Sequence, residues 1–191
     1  ENAIAISQAA TDTLPANYWA HNELVMINDK KPSRFLEEDT LFLRDILDRG
    51  YSGREVRYWM LSHHYRKLIY FSWSKLETVR NTIAHLDNFV RKLHFCQLGP
   101  ANPQMDQLIY DLRQKFTESM DEDLNVSAAL AALFQFIHRI NKLLDRNGLS
   151  NDDKEKVLKA LERIDSVLGV MDLAALEVGE EVKALIEKRE Q

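Results

Sequence analysis

The residues whose types and spacing best suit chemistry form a short basic loop, Lys30, Lys31, Pro32, Ser33 and Arg34. Three cations and one hydroxyl stand together there, and the proline keeps the segment out of a helix. Flexible cations and a hydroxyl donor neutralise charge that develops between phosphates, so such a loop can fold over a polyphosphate. The same composition is more often that of a solvated surface loop, and both interpretations stay open on composition alone.

The elements on either side of this loop must position it. Residues 18–27 are rich in aromatic and β-branched side chains, which predicts a strand that leads into the loop. After the loop, residues 40–49 have the apolar spacing of a helix that stops at Gly50. Ser52 and Glu55 then form a capping-box signature, which predicts a second helix running to about Tyr65.

The rest of the chain has the pattern of a helical bundle. From residue 72 onward, apolar side chains recur at spacings of three and four, with breaks at residues 99–100, 121–123 and 147–148 and a stop at Gly169. Four helices joined by short connections predict an antiparallel four-helix bundle, so the expected fold is mainly α with a short strand. The residues expected to point inward from the first of these helices are Leu76, Val79, Ile83, Leu86, Val90 and Leu93.

Composition limits the class of protein. The chain has 191 residues, is 45% hydrophobic and can bury the core of one or two domains. No apolar run approaches the roughly 20 residues that a membrane span needs. Cys96 is the only cysteine, which excludes an internal disulfide and a cysteine-rich metal site and favours a cytoplasmic location.

Charge distribution indicates where nucleic acid could bind. The net charge of −5 argues against indiscriminate binding, but residues 28–94 hold 13 Lys and Arg against 9 Asp and Glu. A chance fluctuation explains this excess about as well as a local RNA-binding patch does. The candidate phosphate contacts are Lys30, Lys31, Arg34, Arg54, Arg57, Arg66 and Lys67, with Tyr18, Trp19, His21 and Tyr65 available for stacking or hydrogen bonds.

Each of these candidates has a structural alternative. Trp19 and Trp59 are expected to pack in a core, because large aromatic side chains usually do. Arg57 and Arg66 are alternatively expected to pair with Asp45, Asp48 or Glu55 instead of with phosphate. The histidines offer no independent metal site, because His63 and His64 are adjacent and point to different sides of a helix.

In order along the chain, six segments resemble the second half of a cysteinyl-tRNA synthetase, a class I aminoacyl-tRNA synthetase. The segment KPSRF stands where that family has its KMSKS loop, which the resemblance identifies as an ATP-positioning loop. Lys31 and Ser33 match the motif and Arg34 keeps the charge of its second lysine, whereas Pro32 and Phe35 depart from it. The six segments are ENAIAISQA (1–9), YWAHNELVMI (18–27), KPSRF (31–35), LRDIL (43–47), EVRYWMLSHHYR (55–66) and MDEDLNVSAALAALF (120–134).

The resemblance also implies cofactors and partners. The family's enzymes use ATP and tRNA, and a zinc ion held by Cys, His and Glu recognises the substrate thiol. Ala3 stands where the family has its glutamate ligand, and alanine cannot bind zinc. No metal ligand is therefore expected from this chain, and a zinc site of non-standard composition is predicted.

The resemblance implies four regions. Residues 1–27 would end a class I catalytic domain, 28–71 would hold the KMSKS-type loop and stem-contact-like helices, 72–169 would form the tRNA-binding bundle, and 170–191 a linker and the start of a C-terminal helix. Because the chain starts with Glu1 and reads as a helix without a preceding cap, we expect a fragment that lacks its N-terminal catalytic half and is inactive alone.

Two further functions stay open. The departures in the loop and at Ala3 are also expected of a non-catalytic synthetase paralogue that binds RNA or protein. A cysteine ligase with another acceptor would have the same second half. The sequence predicts no oligomeric state.

Overall fold

The computed structural model describes residues 2–27, 41–146 and 148–174. These residues are mainly helical, as predicted, with two short strands. The elements in chain order are α1 (Asn2–Thr11), β1 (Val25–Ile27), α2 (Leu43–Asp48), α3 (Gly53–Leu61), β2 (Ile69–Phe71), α4 (Trp73–His94), α5 (Met105–Asp121), α6 (Val126–Arg146) and α7 (Asn151–Leu168).

The two strands pair in parallel. Val25 lies opposite Ile69 and Ile27 opposite Phe71, and the chain between the strands includes α2 and α3, because parallel strands need a crossover connection. The predicted strand over residues 18–27 is wrong for its first seven residues. Tyr18 is 93% exposed, and aromatic side chains favour a strand only where they pack against neighbouring strands.

The start of α3 confirms the predicted capping box. The Ser52 hydroxyl accepts a hydrogen bond from the Glu55 backbone N–H, and the Glu55 carboxylate accepts one from the Ser52 backbone N–H. The helix ends at Leu61 and not at Tyr65. Ser62 and His63 both donate side-chain hydrogen bonds to the Trp59 carbonyl at 2.8 Å, which competes with the helical bonding pattern there.

Local signals also fix both ends of α7. The Ser150 hydroxyl accepts from the Asp153 N–H at its start, and Gly169 ends it in the left-handed conformation with φ of +62°. Helix α5 begins only at Met105, several residues after the predicted break at residues 99–100. An Asn102 side-chain bond to the Gln104 N–H and an Asn102 N–H bond to Asp153 hold the preceding residues in a non-helical turn.

One hydrophobic core joins the described helices from α2 onward. All six residues predicted to point inward from α4 are buried, and α5, α6 and α7 contribute side chains to the same core. Val170 and Met171, 0% and 7% exposed, extend this core past residue 169. The domain boundaries and the antiparallel bundle order remain predictions.

The N-terminal part of the described chain is more open than the helical part. Trp59 is 2% exposed, as expected of a core residue, but the same expectation for Trp19 is wrong because it is 45% exposed. No helix in the described ranges has both the length and the apolar character of a membrane span. The exposed apolar residues of this part are Ile6, Leu14, Tyr18, Trp19, Leu24, Phe42, Leu43 and Leu47.

Candidate nucleic-acid interface

The residues predicted to contact ATP lie outside the described residues. These are Lys31, Ser33 and Arg34, and the tRNA-binding candidate Lys30 lies there too. Strand β1 ends at Ile27, and residues 28–40 after it are not among the described residues. The loop's role therefore stays a prediction.

Arg54 joins α3 to α4. Its Nη2 atom lies 2.8 Å from both carboxylate oxygens of Asp87, and Nη1 lies 3.9 Å from Asp172 beyond the end of α7. Its side chain is 30% exposed, so the ion pair is half-buried. Arg54 was predicted to bind phosphate, but Asp87 neutralises most of its charge within the protein.

Arg57 joins α3 to the end of α7. Its Nε donates to the Leu168 carbonyl, and its Nη2 donates to the Val167 carbonyl at 3.1 Å. These carbonyls belong to the last turn of α7, where a cation is favourable. The predicted pairing of Arg57 with Asp45, Asp48 or Glu55 is wrong, because the last-turn carbonyls of a distant helix hold it instead.

Arg66 and Tyr65 join the segment after α3 to the connection between α5 and α6. The Tyr65 hydroxyl donates to Asp123, and the Arg66 Nε lies 3.0 Å from Asp123 Oδ2, so the predicted carboxylate partners of Arg66 are also wrong. The Tyr65 bond and the Arg66 charge hold the pKa of Asp123 below its ordinary value. The Tyr65 carbonyl also accepts from the Glu23 N–H at 2.8 Å, so this cluster reaches the chain leading into β1.

Lys67 is the described candidate that best keeps a free charge. It is exposed, and no ion pair to it occurs among residues 2–27, 41–146 and 148–174. Tyr18 and His21, the stacking candidates before β1, are exposed as well. Tyr65, Arg66 and Lys67 thus all lie in the connection between α3 and β2, where Arg66 contacts Tyr65, whereas Arg54 and Arg57 serve as ties between helices.

The pairing of Glu55 with Arg80 was not predicted from the sequence. Glu55 is 6% exposed, and Arg80 Nε donates to it at 2.9 Å. The capping box was a local signal for Glu55, but no spacing rule links residue 55 to a side chain in the middle of α4. The pair adds a second tie between α3 and α4, beside that of Arg54 with Asp87.

No group of three or more His, Cys, Asp or Glu side chains in the described part of the chain is arranged to hold a metal ion. Ala3 lies exposed on α1 and offers only a methyl group. The described residues therefore do not fit a zinc ion, and no chemical step is assigned to one.

Two family models match the chain. The model described as the class I (C) tRNA synthetase catalytic domain matches residues 1–81, and the DALR domain model matches residues 115–173. The first covers both strands and the α3 residues Arg54, Glu55 and Arg57. The second covers the last seven residues of α5, all of α6 and α7, and Asp123. These matches define part of a class I aminoacyl-tRNA synthetase.

Curated relatives narrow the class. The chain is 36% identical over 193 residues to the cysteine–tRNA ligase of Chlamydia felis, with all of this chain and 40% of the relative aligned. It is 37% identical to the cysteine–tRNA ligase of Chlamydia caviae, again with all of this chain and 40% of the relative aligned. It is 35% identical to the cysteine–tRNA ligase of Protochlamydia amoebophila over 90% of this chain and 36% of the relative. The chain belongs to the cysteinyl-tRNA synthetase family. It spans about 40% of the length of these relatives and matches their C-terminal part.

Proposed function

We propose that this chain contributes tRNA binding and an ATP-positioning loop to the ATP-dependent ligation of cysteine to tRNA. The observation that carries the proposal is the set of ties between the two family regions. Arg57 on α3 binds the carbonyls at the end of α7, and Tyr65 and Arg66 bind Asp123 between α5 and α6. Such ties hold a tRNA-binding helical region at a fixed place relative to the strand that leads into the loop.

The proposed chemistry follows the family's two steps. In the first, the cysteine carboxylate attacks the α-phosphorus of ATP, which forms the cysteinyl adenylate and releases pyrophosphate. In the second, a hydroxyl at the 3′ end of tRNA takes the aminoacyl group and AMP leaves. Lys31, Ser33 and Arg34 are proposed to bind phosphate oxygens during the first step, as a charged loop with a hydroxyl can. Because the chain spans about 40% of its relatives, we expect none of this chemistry from residues 1–191 alone. ATP–pyrophosphate exchange by this chain would contradict that expectation.

We further propose that residues 2–27 and 41–47 pack against the remainder of a catalytic domain. Eight apolar side chains there are exposed, including Ile6, Leu14 and Phe42 at 71%, 68% and 66%. A concentration of exposed apolar side chains of this kind is expected where a chain packs against another domain. We also propose that residues 72–169 form an antiparallel tRNA-binding bundle, which the shared core of α4 to α7 supports. The proposed location of the protein is the cytoplasm.

The non-catalytic alternative rests on Ala3. An exposed alanine at the family's ligand position removes one zinc ligand, which favours a paralogue that keeps RNA binding without cysteine selection. Both the synthetase function and the non-catalytic RNA-binding function predict that the chain binds tRNA. A role in protein binding alone predicts none.

A gel-shift titration with tRNA tests the binding proposal. At low salt the chain is expected to retard tRNA, and Lys67→Glu is expected to weaken binding by roughly 3- to 10-fold, because it replaces a phosphate contact with a repelling charge. Lys159→Glu is the matched control, since Lys159 is also exposed and lies on α7. Retardation that is absent at low salt, or equal losses in the two variants, would count against this surface.

A further inference from the structure

A second basic surface lies at the other end of the helices. The C-terminal ends of α4 and α6 border an open cleft of about 660 Å³. Next to the lining residues Gln97 and Gly148, Leu98 and Leu149 form a parallel β-bridge and the Gly99 N–H donates to the Leu149 carbonyl at 3.0 Å, so the chain after α4 is held against the chain after α6. The side chains that matter are Arg91, Lys92, Phe95, Cys96, Asp145 and Arg146.

The cleft keeps two positive charges in a chain of net charge −5. Lys92 and Asp145 form an ion pair and neutralise each other. Arg91 donates to the neutral amide oxygen of Asn88 at 2.9 Å and so retains its charge. Neither Arg91 nor Arg146 forms an ion pair with any residue in the ranges that the structure describes.

Helix dipoles explain only part of this arrangement. Arg91 and Arg146 lie in the last turns of α4 and α6, where a cation offsets the negative helix end. That effect gives no reason for the apolar side chains beside them. Phe95, which lines the cleft together with these arginines, is 57% exposed, so an aromatic side chain is open to water there.

An aromatic face flanked by arginines is the composition that holds single-stranded nucleic acid. Bases stack on exposed aromatic rings, and the phosphates on either side are neutralised by nearby cations. We propose that this cleft is a second tRNA contact, in which an unpaired base stacks on Phe95 and flanking phosphates bind Arg91 and Arg146. The inference rests on the proposed tRNA binding. It adds a second contact surface, separate from the one that contains Lys67.

Cys96 gives a direct probe, because it is the only cysteine of the chain and lines the cleft. Its alkylation by N-ethylmaleimide would be timed by mass spectrometry with and without saturating tRNA at low salt. Bound tRNA is expected to slow the reaction at least about 5-fold, because a stacked base and its backbone cover the half-buried thiol.

Charge reversal tests the two arginines. The double variant Arg91→Glu, Arg146→Glu is expected to lose the protection of Cys96 and about 10-fold or more of tRNA affinity. The matched control is Arg113→Glu, Arg163→Glu, which reverses two exposed arginines on α5 and α7 outside the cleft. Circular dichroism of both variants checks that the helices are intact.

Phe95→Ala tests stacking separately from charge. The loss of one stacked base is expected to cost roughly 5- to 100-fold in tRNA affinity, whereas Leu98→Ala, a matched change of an exposed apolar residue, is expected to cost less than about 3-fold. Equal affinities of the Phe95→Ala variant and the unchanged chain would overturn the stacked base.

The outcomes separate the cleft from the wider proposal. A gel shift without protection of Cys96 would overturn the cleft contact and leave tRNA binding in place. If tRNA gave neither a gel shift nor protection of Cys96, tRNA binding and the cleft contact would both be overturned. Equal protection by polyglutamate at the same charge concentration would assign the cleft to an acidic polypeptide and overturn the nucleic-acid assignment.

Discussion

Replacing Gly148 with alanine is expected to destabilise the chain by about 3 kcal/mol or more. Gly148 has φ of +72°, and a Cβ atom there would lie 2.2 Å from the Gln97 carbonyl oxygen. Because the Gln97 carbonyl is a backbone group and cannot rotate aside like a side chain, the connection between α6 and α7 must move away from the chain after α4. The same movement would break the β-bridge between Leu98 and Leu149, which lies next to the cleft residues Gln97 and Gly148.

Gly50→Ala is the matched control for this effect. Gly50 also has a positive φ, of +81°, but no atom lies within 4 Å of the position its Cβ would take. Only the conformational cost of about 1–2 kcal/mol is expected there. Urea denaturation followed by circular dichroism compares the two variants, and equal losses of unfolding free energy would show that the close approach to Gln97 is wrong.

Glu55→Ala is expected to cost about 2 kcal/mol of unfolding free energy. The Glu55 carboxylate accepts from the Ser52 N–H and from Arg80, and its removal breaks half of the capping box and leaves these two part-buried donors without this partner. Glu77→Ala is the control, because Glu77 also pairs with Arg80, at 3.5 Å, but is 55% exposed. If Glu77→Ala lowered the unfolding free energy as much as Glu55→Ala does, burial and capping would not explain the Glu55 effect.

The Glu55 contribution is expected to depend on pH. Burial opposes ionisation of Glu55, but hydrogen bonds from Ser52 and Arg80 outweigh it, so its pKa lies below the ordinary value of 4.5. A lowered carboxylate pKa stabilises the fold above 4.5, and this stabilisation is lost as the pH falls through the folded-state pKa. The difference in unfolding free energy between the unchanged chain and Glu55→Gln should therefore shrink as the pH falls below about 4. A constant difference would contradict this assignment.

Features that depend on neighbours along the chain could be predicted from the sequence. The cap at Ser52 was predicted because a hydroxyl binds a backbone N–H three residues away. The inward residues of α4 follow from a single helical period. Both kinds of feature need only local geometry.

Features that depend on distant parts of the chain could not. Arg57 is 110 and 111 residues from the carbonyls it binds, and Arg66 is 57 residues from Asp123, so no spacing rule indicates these partners. For the same reason the predicted carboxylate partners were wrong. The aromatic run over residues 18–24 predicted a strand, but strand propensity depends on a neighbouring strand that a single segment does not reveal.

The resemblance supplied what neither spacing nor periodicity could. It assigned Lys31, Ser33 and Arg34 to ATP and Ala3 to a missing zinc ligand, and those assignments remain predictions. The family itself is established by the matched models and relatives. The basic cleft at Arg91, Phe95 and Arg146 came from the structure, because it combines residues from two helix ends that are far apart in sequence.

The salt dependence of tRNA affinity tests tRNA binding most directly. Fluorescence anisotropy of labelled tRNA would be titrated with the chain at several salt concentrations between about 50 and 200 mM. If Lys67, Arg91 and Arg146 each neutralise a phosphate, the affinity is expected to fall by roughly 10-fold or more across this range. Binding that is absent at 50 mM salt, or that does not change with salt, would contradict the proposal that this chain holds tRNA through these cations.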